Sequence, residues 1–238
     1  MCRCDRYTER MKKILFGIFA HPDDEAFGPA GTLLMEAADG VEVQMVTLTL
    51  GEAGVNPDNV PNLMDVREKE WRESGRLIGA RKLHYLGYKD GQLTNDSMVE
   101  IGRQLVDLIT NEIRSAVDET EIELMTIDLN GVTGHIDHIV AARATCWAYY
   151  TLRKKDSRFK KVRLVCLPYQ HAPEPNVDWI YMEPGRKENE IDEVIDARAY
   201  REQIIAVMRA HHSQRADCDQ HLRNFGDSIG LNYFRVIT

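Results

Sequence analysis

Two short segments of the chain combine histidine with acidic residues, and each follows a short apolar run. The first is HPDDE at residues 21–25, and the second is GHIDH at residues 134–138. Adjacent carboxylates beside a buried strand repel one another unless a cation or a proton neutralises them. The two segments therefore predict a metal site, and the chemistry expected of it is hydrolysis by activated water.

The spacing of these residues suits a metal ion with mixed nitrogen and oxygen ligands. His21 and Asp24 are separated by two residues, so a single turn can direct both side chains to one point. The third ligand is expected from residues 134–138. Three protein ligands with one open position are typical of catalytic zinc and not of a structural zinc site.

Each segment also has an interpretation that involves no metal. Asp23 could cap the helix after the first segment, and the histidines of the second could lie on the exposed first turn of another helix. Capping requires one acid, whereas the first segment contains three. The occurrence of both segments at predicted strand ends favours the metal site.

Apolar runs alternate with segments of helical periodicity, and these elements must position both segments. The predicted strands are 14–20, 41–48, 83–86, 122–127 and 162–167, and the predicted helices are 27–38, 64–79, 98–117 and 136–152. This alternation predicts an α/β fold, a three-layer sandwich with a mostly parallel Rossmann-like sheet. Both segments then lie at the carboxyl ends of strands, where such sheets bind ligands. No element is assigned to residues 168–193.

Composition limits the class of function. The 238 residues can form one substantial core, and we expect a flexible N-terminal arm over residues 1–12 and a single domain over 13–238. The net charge of −8 disfavours nucleic acid as a partner, because binding to phosphates needs excess positive charge. The apolar runs are too short for a membrane span, and the five scattered cysteines, including Cys2 and Cys4, suit a reducing compartment. We therefore expect a cytoplasmic protein that acts on a small molecule.

The two segments, with their surroundings, resemble the LmbE-like, or PIG-L-type, N-acetylglucosaminyl deacetylases, which are zinc hydrolases. The resemblance covers about residues 13–215. It is carried by AHPDDEAFGPAGTL from residue 20, VTLTLGEAG from 46, LGYKDGQL from 86, DLNGVTGHIDHIVAARAT from 128 and AHHSQ from 210. One departure is Ile136, where the family commonly has proline, and we expect it to change the stiffness of the loop more than the chemistry.

The resemblance implies a role for each residue of the two segments. His21, Asp24 and His138 would bind Zn²⁺, with Fe²⁺ as the alternative, and Asp23 would be the general base. Protonated His135 would stabilise the oxyanion and protonate the departing amine.

The roles of five other residues stay open. Asp137 either orients His135 or only complements the dipole of its helix. Arg67 either contacts the substrate or forms a surface ion pair with Glu70. The remaining three, Glu52, Asp90 and His211, either contact the substrate or brace the pocket.

The resemblance implies removal of an acetyl group from an N-acetylglucosamine-type conjugate, and a homo-oligomer is compatible with it. A first alternative keeps the metal but acts on an amide in a thiol conjugate or on an N-acylated natural product. The second is a non-catalytic nucleotide- or sugar-binding module. The acidic HPDDE segment disfavours the module, because a phosphate loop would place glycines there.

Overall fold

The computed structural model describes residues 12–172 and 185–238, and a seven-stranded sheet runs through them. The strands are β1 (Lys13–Phe19), β2 (Glu42–Thr47), β3 (Lys82–Tyr85), β4 (Glu121–Ile127), β5 (Phe159–Cys166), β6 (Glu193–Asp196) and β7 (Leu231–Ile237). The helices are α1 (Asp24–Phe27), α2 (Ala30–Ala38), α3 (Leu63–Ile78), α4 (Asn95–Glu112), α5 (Gly131–Gly134), α6 (Ile136–Arg153), α7 (Arg201–Ala210) and α8 (Arg215–Phe225).

The strand order is β3-β2-β1-β4-β5-β7-β6. The strands β1 to β5 run parallel, whereas β7 is antiparallel to both β5 and β6. The predicted α/β fold with a mostly parallel sheet is therefore confirmed. Because β1 and β4 are parallel neighbours, the segments that follow them meet at one edge of the sheet.

Helices cover both faces of the sheet and divide the core into two halves. Side chains alternate along β1, so Phe16 and Ile18 pack with α4 and α6, while Leu15 and Phe19 pack with α2, α3 and α7. All four side chains are almost completely buried. A strand buried on both faces explains why its sequence is continuously apolar.

Two helix boundaries differ from the predicted ones for local reasons. The helix predicted over residues 27–38 is divided at Gly28–Pro29, because proline lacks an N–H and restricts the residue before it. Helix α4 begins earlier than predicted because Thr94 caps it. Thr94 Oγ1 accepts a hydrogen bond from the Ser97 N–H at 3.3 Å, and Ser97 Oγ accepts one from the Thr94 N–H at 2.9 Å.

The antiparallel edge formed by β6 and β7 was not predicted. β6 has only four residues, half-buried and exposed in alternation, so it gives little periodic signal. Of the arm predicted over residues 1–12, residues 1–11, with Cys2 and Cys4, lie outside the described residues. The same holds for residues 173–184 of the segment that was left unassigned. No helix in the described ranges has the length and apolar character that a membrane crossing requires.

Gly102 on α4 allows the Trp147 ring of α6 to pack close to the helix backbone. A Cβ at position 102 would lie 2.5 Å from that ring. We expect Gly102→Ala to lower the free energy of unfolding by about 1–3 kcal/mol, because overpacking outweighs the better helix propensity of alanine. Urea unfolding followed by circular dichroism measures the change.

The control for Gly102→Ala is Asp107→Ala, at an exposed position of the same helix. It should stay within roughly 0.5 kcal/mol of the parent. A Gly102→Ala protein as stable as the parent would contradict the close packing of α4 on α6.

Candidate active site

The turn that follows β1 carries the first acidic segment into the edge of the sheet. Asp23 precedes α1 at the N-cap position, but its side chain makes no capping hydrogen bond, and its φ of 101° is a conformation that non-glycine residues rarely adopt. The buried Asp24 side chain folds back, and its Oδ2 accepts hydrogen bonds from the N–H groups of Ala20 at 3.1 Å and His21 at 3.0 Å. Asp24 Oδ1 is thereby directed away from the turn.

The loop after β4 brings the second segment to the same point. Asp24 Oδ1 lies 3.0 Å from His138 Nε2, and His21 Nδ1 lies 3.1 Å from the same nitrogen. His21, Asp24 and His138 each offer one ligand atom, and these three atoms lie within 4.8 Å of one another. His135 and Asp137 form an overlapping set with His21, also within 4.8 Å.

Hydrogen bonds on the far side of each ring determine which nitrogens face one another. His138 Nδ1 lies 3.1 Å from the carbonyl oxygen of Gly131, which can only accept, so Nδ1 carries a proton. His21 Nε2 faces the carboxylates of Asp90 at 2.9 Å and Asp137 at 3.3 Å, so this nitrogen is also protonated. In the neutral tautomers, His21 Nδ1 and His138 Nε2 then direct lone pairs at each other.

Two opposed lone pairs beside a carboxylate are stable only when positive charge lies among them. The pKa values of His21 and Asp24 likewise indicate that positive charge is favoured at this point. Burial opposes a charge on His21, but the carboxylates of Asp137, Asp90 and Asp24 outweigh it and raise the pKa of His21 to about 10. Burial is likewise outweighed at Asp24, whose pKa is lowered by His138 and His21. The donor set of two imidazoles and one carboxylate therefore fits a divalent cation such as Zn²⁺.

The carboxylates of Asp90 and Asp137 both contact His21 Nε2, on the side of the ring away from His138. The Asp137 carboxylate accepts hydrogen bonds from the N–H groups of Gly91 at 2.8 Å and Leu93 at 3.2 Å, besides facing His21. Its hydrogen bond to His135 runs from the Asp137 main-chain N–H instead. Its carboxylate therefore positions His21 and not, as one interpretation had it, His135.

Asp90 likewise has a bracing position. Its Oδ1 faces His21, and its Oδ2 accepts a hydrogen bond from the N–H of Ala53 at 2.9 Å. Glu52 Oε1 in turn accepts from the Asp90 N–H at 3.0 Å, and Glu52 Oε2 is buried with no hydrogen-bond partner among the described residues. Of the two open interpretations for Asp90 and Glu52, the contacts favour bracing of the pocket.

Asp23 lies beside the three ligands and is held by Arg67. Arg67 Nη2 donates to Asp23 Oδ2 at 2.7 Å and to the carbonyl oxygen of Pro22 at 2.5 Å, and Nη1 donates to that of Gly51 at 2.8 Å. Burial is the main influence on Asp23; it exceeds the lowering by Arg67 and raises the pKa of Asp23 to about 6. Neither interpretation of Arg67 included Asp23 as its partner. Glu70 instead accepts hydrogen bonds from Ser213, and because Arg67 lines the cavity its contact with the substrate stays a prediction.

Glycine makes this position of Arg67 accessible. Gly51 has a positive φ of 69°, and a Cβ there would lie 2.3 Å from the Arg67 guanidinium. Gly54 is similarly close, with a Cβ that would lie 2.5 Å from Arg67 Nη1. The glycines of the GEAG sequence therefore make room for the cation that holds Asp23.

His135 caps α6 through its ring. Its Nδ1 accepts a hydrogen bond from the Asp137 N–H at 3.2 Å, so Nε2 carries the proton in the neutral ring. The ring centroids of His21 and His138 lie 4.9 Å and 4.8 Å away. Burial, together with these two rings, lowers the pKa of His135 to about 4. The structure thus gives a neutral donor at pH 7, where the sequence analysis expected a protonated one.

The loop between β4 and α6 has an unusual backbone at Val132. Its φ of 63° and ψ of −48° lie outside the regions that a β-branched residue normally occupies. The Asn130 side chain accepts a hydrogen bond from the Val132 N–H at 2.9 Å. The carbonyl oxygen of Gly131 accepts one from His138 Nδ1. This loop therefore fixes the orientation of His138 at a conformational cost of about 1–3 kcal/mol.

A buried ion pair behind the turn was not predicted, although His211 was among the candidates. His211 Nε2 lies 2.7 Å from Glu25 Oε1, and both side chains are completely buried. Ser74 Oγ donates to the same oxygen at 2.5 Å, and Glu25 Oε2 accepts from the Asp23 N–H at 3.1 Å. Burial opposes a charge on His211, but Glu25 outweighs it and raises the pKa of His211. This network positions the Asp23 main chain from inside the protein.

Removing His211 should destabilise the fold through Glu25. We expect His211→Ala to lower the free energy of unfolding by about 3–5 kcal/mol, because a buried carboxylate loses its charged partner. Guanidinium unfolding measures the loss. The added change Glu25→Gln should recover part of it by removing the unpaired charge.

The control is His212→Ala, the exposed neighbouring histidine, which should change stability by less than roughly 0.5 kcal/mol. If His211→Ala proved as stable as His212→Ala, the ion pair would not be a structural support of the turn.

The three metal-ligand candidates line one cavity of about 920 Å³, together with Asp23, Arg67, Asp90 and His135. One wall of the same cavity includes residues of α8: Asp217, Gln220, His221, Asn224 and Phe225. The α8 residues in this wall were not predicted to be functional. Their spacing of three and four residues marks one face of a helix, but the sequence alone does not show what that face covers.

Comparison with known proteins supports the assignment of these motifs. The sequence matches the family described as PIG-L, GlcNAc-PI de-N-acetylase, over residues 16–150. It is 27% identical over 204 residues to the "Probable N-acetyl-alpha-D-glucosaminyl L-malate deacetylase 2" of Bacillus anthracis, covering 84% of this chain and 80% of the relative. It is 28% identical over 247 residues to the "1D-myo-inositol 2-acetamido-2-deoxy-alpha-D-glucopyranoside deacetylase" of Thermomonospora curvata, covering 85% and 80%.

Among solved structures, the fold is similar to that of the N,N'-diacetylchitobiose deacetylase from Pyrococcus horikoshii. The TM-score is 0.65 at 22% identity, and the match covers 95% of this chain and 84% of that one. The family match spans more than half of the 238 residues and includes both the HPDDE and the GHIDH segments. The chain therefore belongs to the PIG-L family of GlcNAc-PI de-N-acetylases.

Proposed function

We propose that the protein is a zinc-dependent deacetylase that hydrolyses the acetamide of an N-acetylglucosamine-type amino sugar conjugate. The observation that carries this proposal is the convergence of His21 Nδ1, His138 Nε2 and an Asp24 oxygen beside Asp23 and His135 in one cavity. Cation ligands, a carboxylate base and a hydrogen-bond donor are the groups that amide hydrolysis requires. The named relatives are deacetylases of amino sugar conjugates, which supports the same substrate class.

His21, Asp24 and His138 would hold the ion. Bound there, Zn²⁺ would supply Lewis-acid chemistry, making water a better nucleophile and polarising the acetamide carbonyl. Asp90 and Asp137 keep the His21 ring in the tautomer that presents Nδ1 as a ligand. Fe²⁺ has similar requirements and is the alternative ion.

Asp23 is the proposed general base. A carboxylate whose pKa is raised to about 6 is ionised at pH 7 and is also basic enough to take a proton from water. Arg67 and the Glu25 contact to the Asp23 N–H restrict this side chain to one position. The proton that Asp23 receives is then available to the departing amine.

His135 is the proposed oxyanion stabiliser. With Nδ1 accepting from the Asp137 N–H, the Nε2–H can donate to the carbonyl oxygen of the acetamide as that oxygen gains negative charge. A neutral donor suffices for this role. The acid role that the sequence analysis gave to His135 passes to Asp23, because the neutral ring has no extra proton to release.

An amine-release screen tests the proposal. Metal-free protein is supplied with Zn²⁺ or Fe²⁺ and offered N-acetylglucosamine linked to inositol, malate, a second sugar or a lipid. We expect metal-dependent release of the amine and of acetate in equal amounts from at least one conjugate. If an amide in a thiol conjugate were hydrolysed faster than every sugar conjugate, the proposed substrate class would be wrong. If no amine were released from any amide, the proposed deacetylase activity would be refuted.

A further inference from the structure

The carboxylate of Asp128 is completely buried directly after β4, where the chain leaves the sheet. Its Oδ2 accepts a hydrogen bond from Arg186 Nε at 2.6 Å, and its Oδ1 accepts one from Arg235 Nη1 at 3.3 Å. The Leu129 N–H donates to Oδ1 at 2.7 Å. Removing one partner of a buried ion pair is costly, because the other charge is left without compensation. The contact with Asp128 therefore restricts the Arg186 side chain to one position.

The main chain of Arg186 is paired with the segment that follows β5. The Arg186 N–H donates to the carbonyl oxygen of Leu167 at 2.8 Å, and the Tyr169 N–H donates to the carbonyl oxygen of Arg186, also at 2.8 Å. Together these bonds form a short parallel bridge between Arg186 and Pro168. The residue that Asp128 binds through its side chain thus binds the segment after β5 through its main chain.

Residues 167–172, which we call the wall segment, form part of the cavity wall. Gly185 allows the preceding contacts, because its φ is 67° and a Cβ there would lie 2.6 Å from Tyr169 Cα. A displacement of Arg186 would therefore be transmitted to the residues of the wall segment that line the cavity: Leu167, Gln170, His171 and Ala172.

Asp128 also supports the loop that carries the GHIDH segment. Its carbonyl oxygen accepts a hydrogen bond from the Gly131 N–H at 2.7 Å, and the carbonyl oxygen of Gly131 accepts one from His138 Nδ1 at 3.1 Å. Because Asp128 and Gly131 accept these bonds through main-chain oxygens, both bonds persist when the side chain of residue 128 or 186 is changed. Breaking the ion pair should therefore move the wall segment and leave the metal-ligand candidates in place.

We infer that Asp128 and Arg186 are positioning residues, whose ion pair sets the place of the wall segment relative to the metal-ligand candidates. Neither residue is among the described residues that line the cavity, so both act through the main chain of the wall segment. The inference that this placement governs substrate affinity rests on the proposed function. The placement of the wall segment itself does not, and the two are tested separately.

Hydrogen exchange measured by NMR tests the ion pair without requiring turnover. Arg186→Gln removes the charge and the Nε donor. We expect the N–H groups of Tyr169 and His171 to exchange at least about tenfold faster in this variant, because local opening no longer breaks a charge-assisted hydrogen bond. The matched control is Arg235→Gln, which removes a guanidinium from the same carboxylate but lies on β7. It should leave both N–H groups at the parent rate.

Kinetics on an accepted conjugate test the consequence for substrate binding. We expect Arg186→Gln and Asp128→Asn each to raise KM about five- to tenfold, with kcat and zinc content close to the parent values. The double variant should raise KM no further, because both changes break the same contact. Arg186→Lys keeps the charge and should recover part of the affinity. A loss of stability alone would reduce the amount of active protein and would not move KM.

The outcomes separate this inference from the proposed function. Parent exchange rates at Tyr169 in Arg186→Gln, or additive effects on KM in the double variant, would overturn the positioning role even if deacetylation occurs. Faster exchange with an unchanged KM would overturn the link to substrate affinity. Faster exchange in Arg186→Gln but not in Arg235→Gln, in a protein that releases no amine from any conjugate, would support the placement of the wall segment and refute the deacetylase.

Discussion

Asp23→Asn should leave the protein folded and metal-loaded but reduce kcat about 10³-fold. Asparagine has the same shape, and its Oδ1 can still accept the Arg67 hydrogen bond, so the turn should be kept. The amide cannot take a proton from water, and loss of a general base typically costs 10²–10⁴-fold, roughly. Steady-state amine release on an accepted conjugate measures the loss.

Metal content must be measured on the same preparation of Asp23→Asn. Elemental analysis should give the parent value, since Asp23 is not among the three proposed ligands. The control is Asp107→Asn, an exposed carboxylate on α4, which should have parent activity. Full turnover in Asp23→Asn would show that another group accepts the proton.

His138→Ala should abolish stable metal binding. The variant removes the nitrogen that lies 3.1 Å from His21 Nδ1 and 3.0 Å from Asp24 Oδ1, which leaves two ligands instead of three. Two side chains do not form a stable zinc site. After dialysis against buffer without metal, we expect the zinc content to fall from about one ion per chain to less than about a tenth.

The melting temperature provides a second measurement for His138→Ala. A ligand that binds only the folded state stabilises it by about 4 kcal/mol when present at 1,000 times its Kd, so added zinc should raise the melting temperature of the parent. The same addition should have no effect on His138→Ala. His212→Ala, an exposed histidine, should respond as the parent does. A zinc-dependent shift in His138→Ala equal to that of the parent would exclude His138 as a ligand.

The central strands and the meeting of the two acidic segments were predictable because both depend on short-range patterns. Residues 14–20 are continuously apolar and residues 122–127 are mostly so, and a parallel sheet brings the ends of such strands together. The family assignment was also accessible, since the HPDDE and GHIDH segments are local sequences.

The partners of individual side chains were not predictable from spacing. Arg67 contacts Asp23 because Gly51 and Gly54 of the GEAG sequence leave space for its guanidinium beside the turn after β1. Asp137 faces His21 because the loop after β3 passes under α6 and donates the N–H groups of Gly91 and Leu93. The lowered pKa of His135 depends on its burial and on the rings of His138 and His21 that approach it in space. Such contacts follow from loop paths, which periodicity does not encode.

The backbone at Val132 has a practical consequence for anyone who wishes to make the protein more heat-resistant. Glycine adopts a positive φ without steric strain, so exchange for glycine at this position would relieve the unfavourable dihedral pair. The same exchange would let the following histidines sample several orientations, so catalytic output should decline as robustness improves. Residue 132 is therefore best left untouched in engineering, and gains are better sought far from the mouth of the cavity.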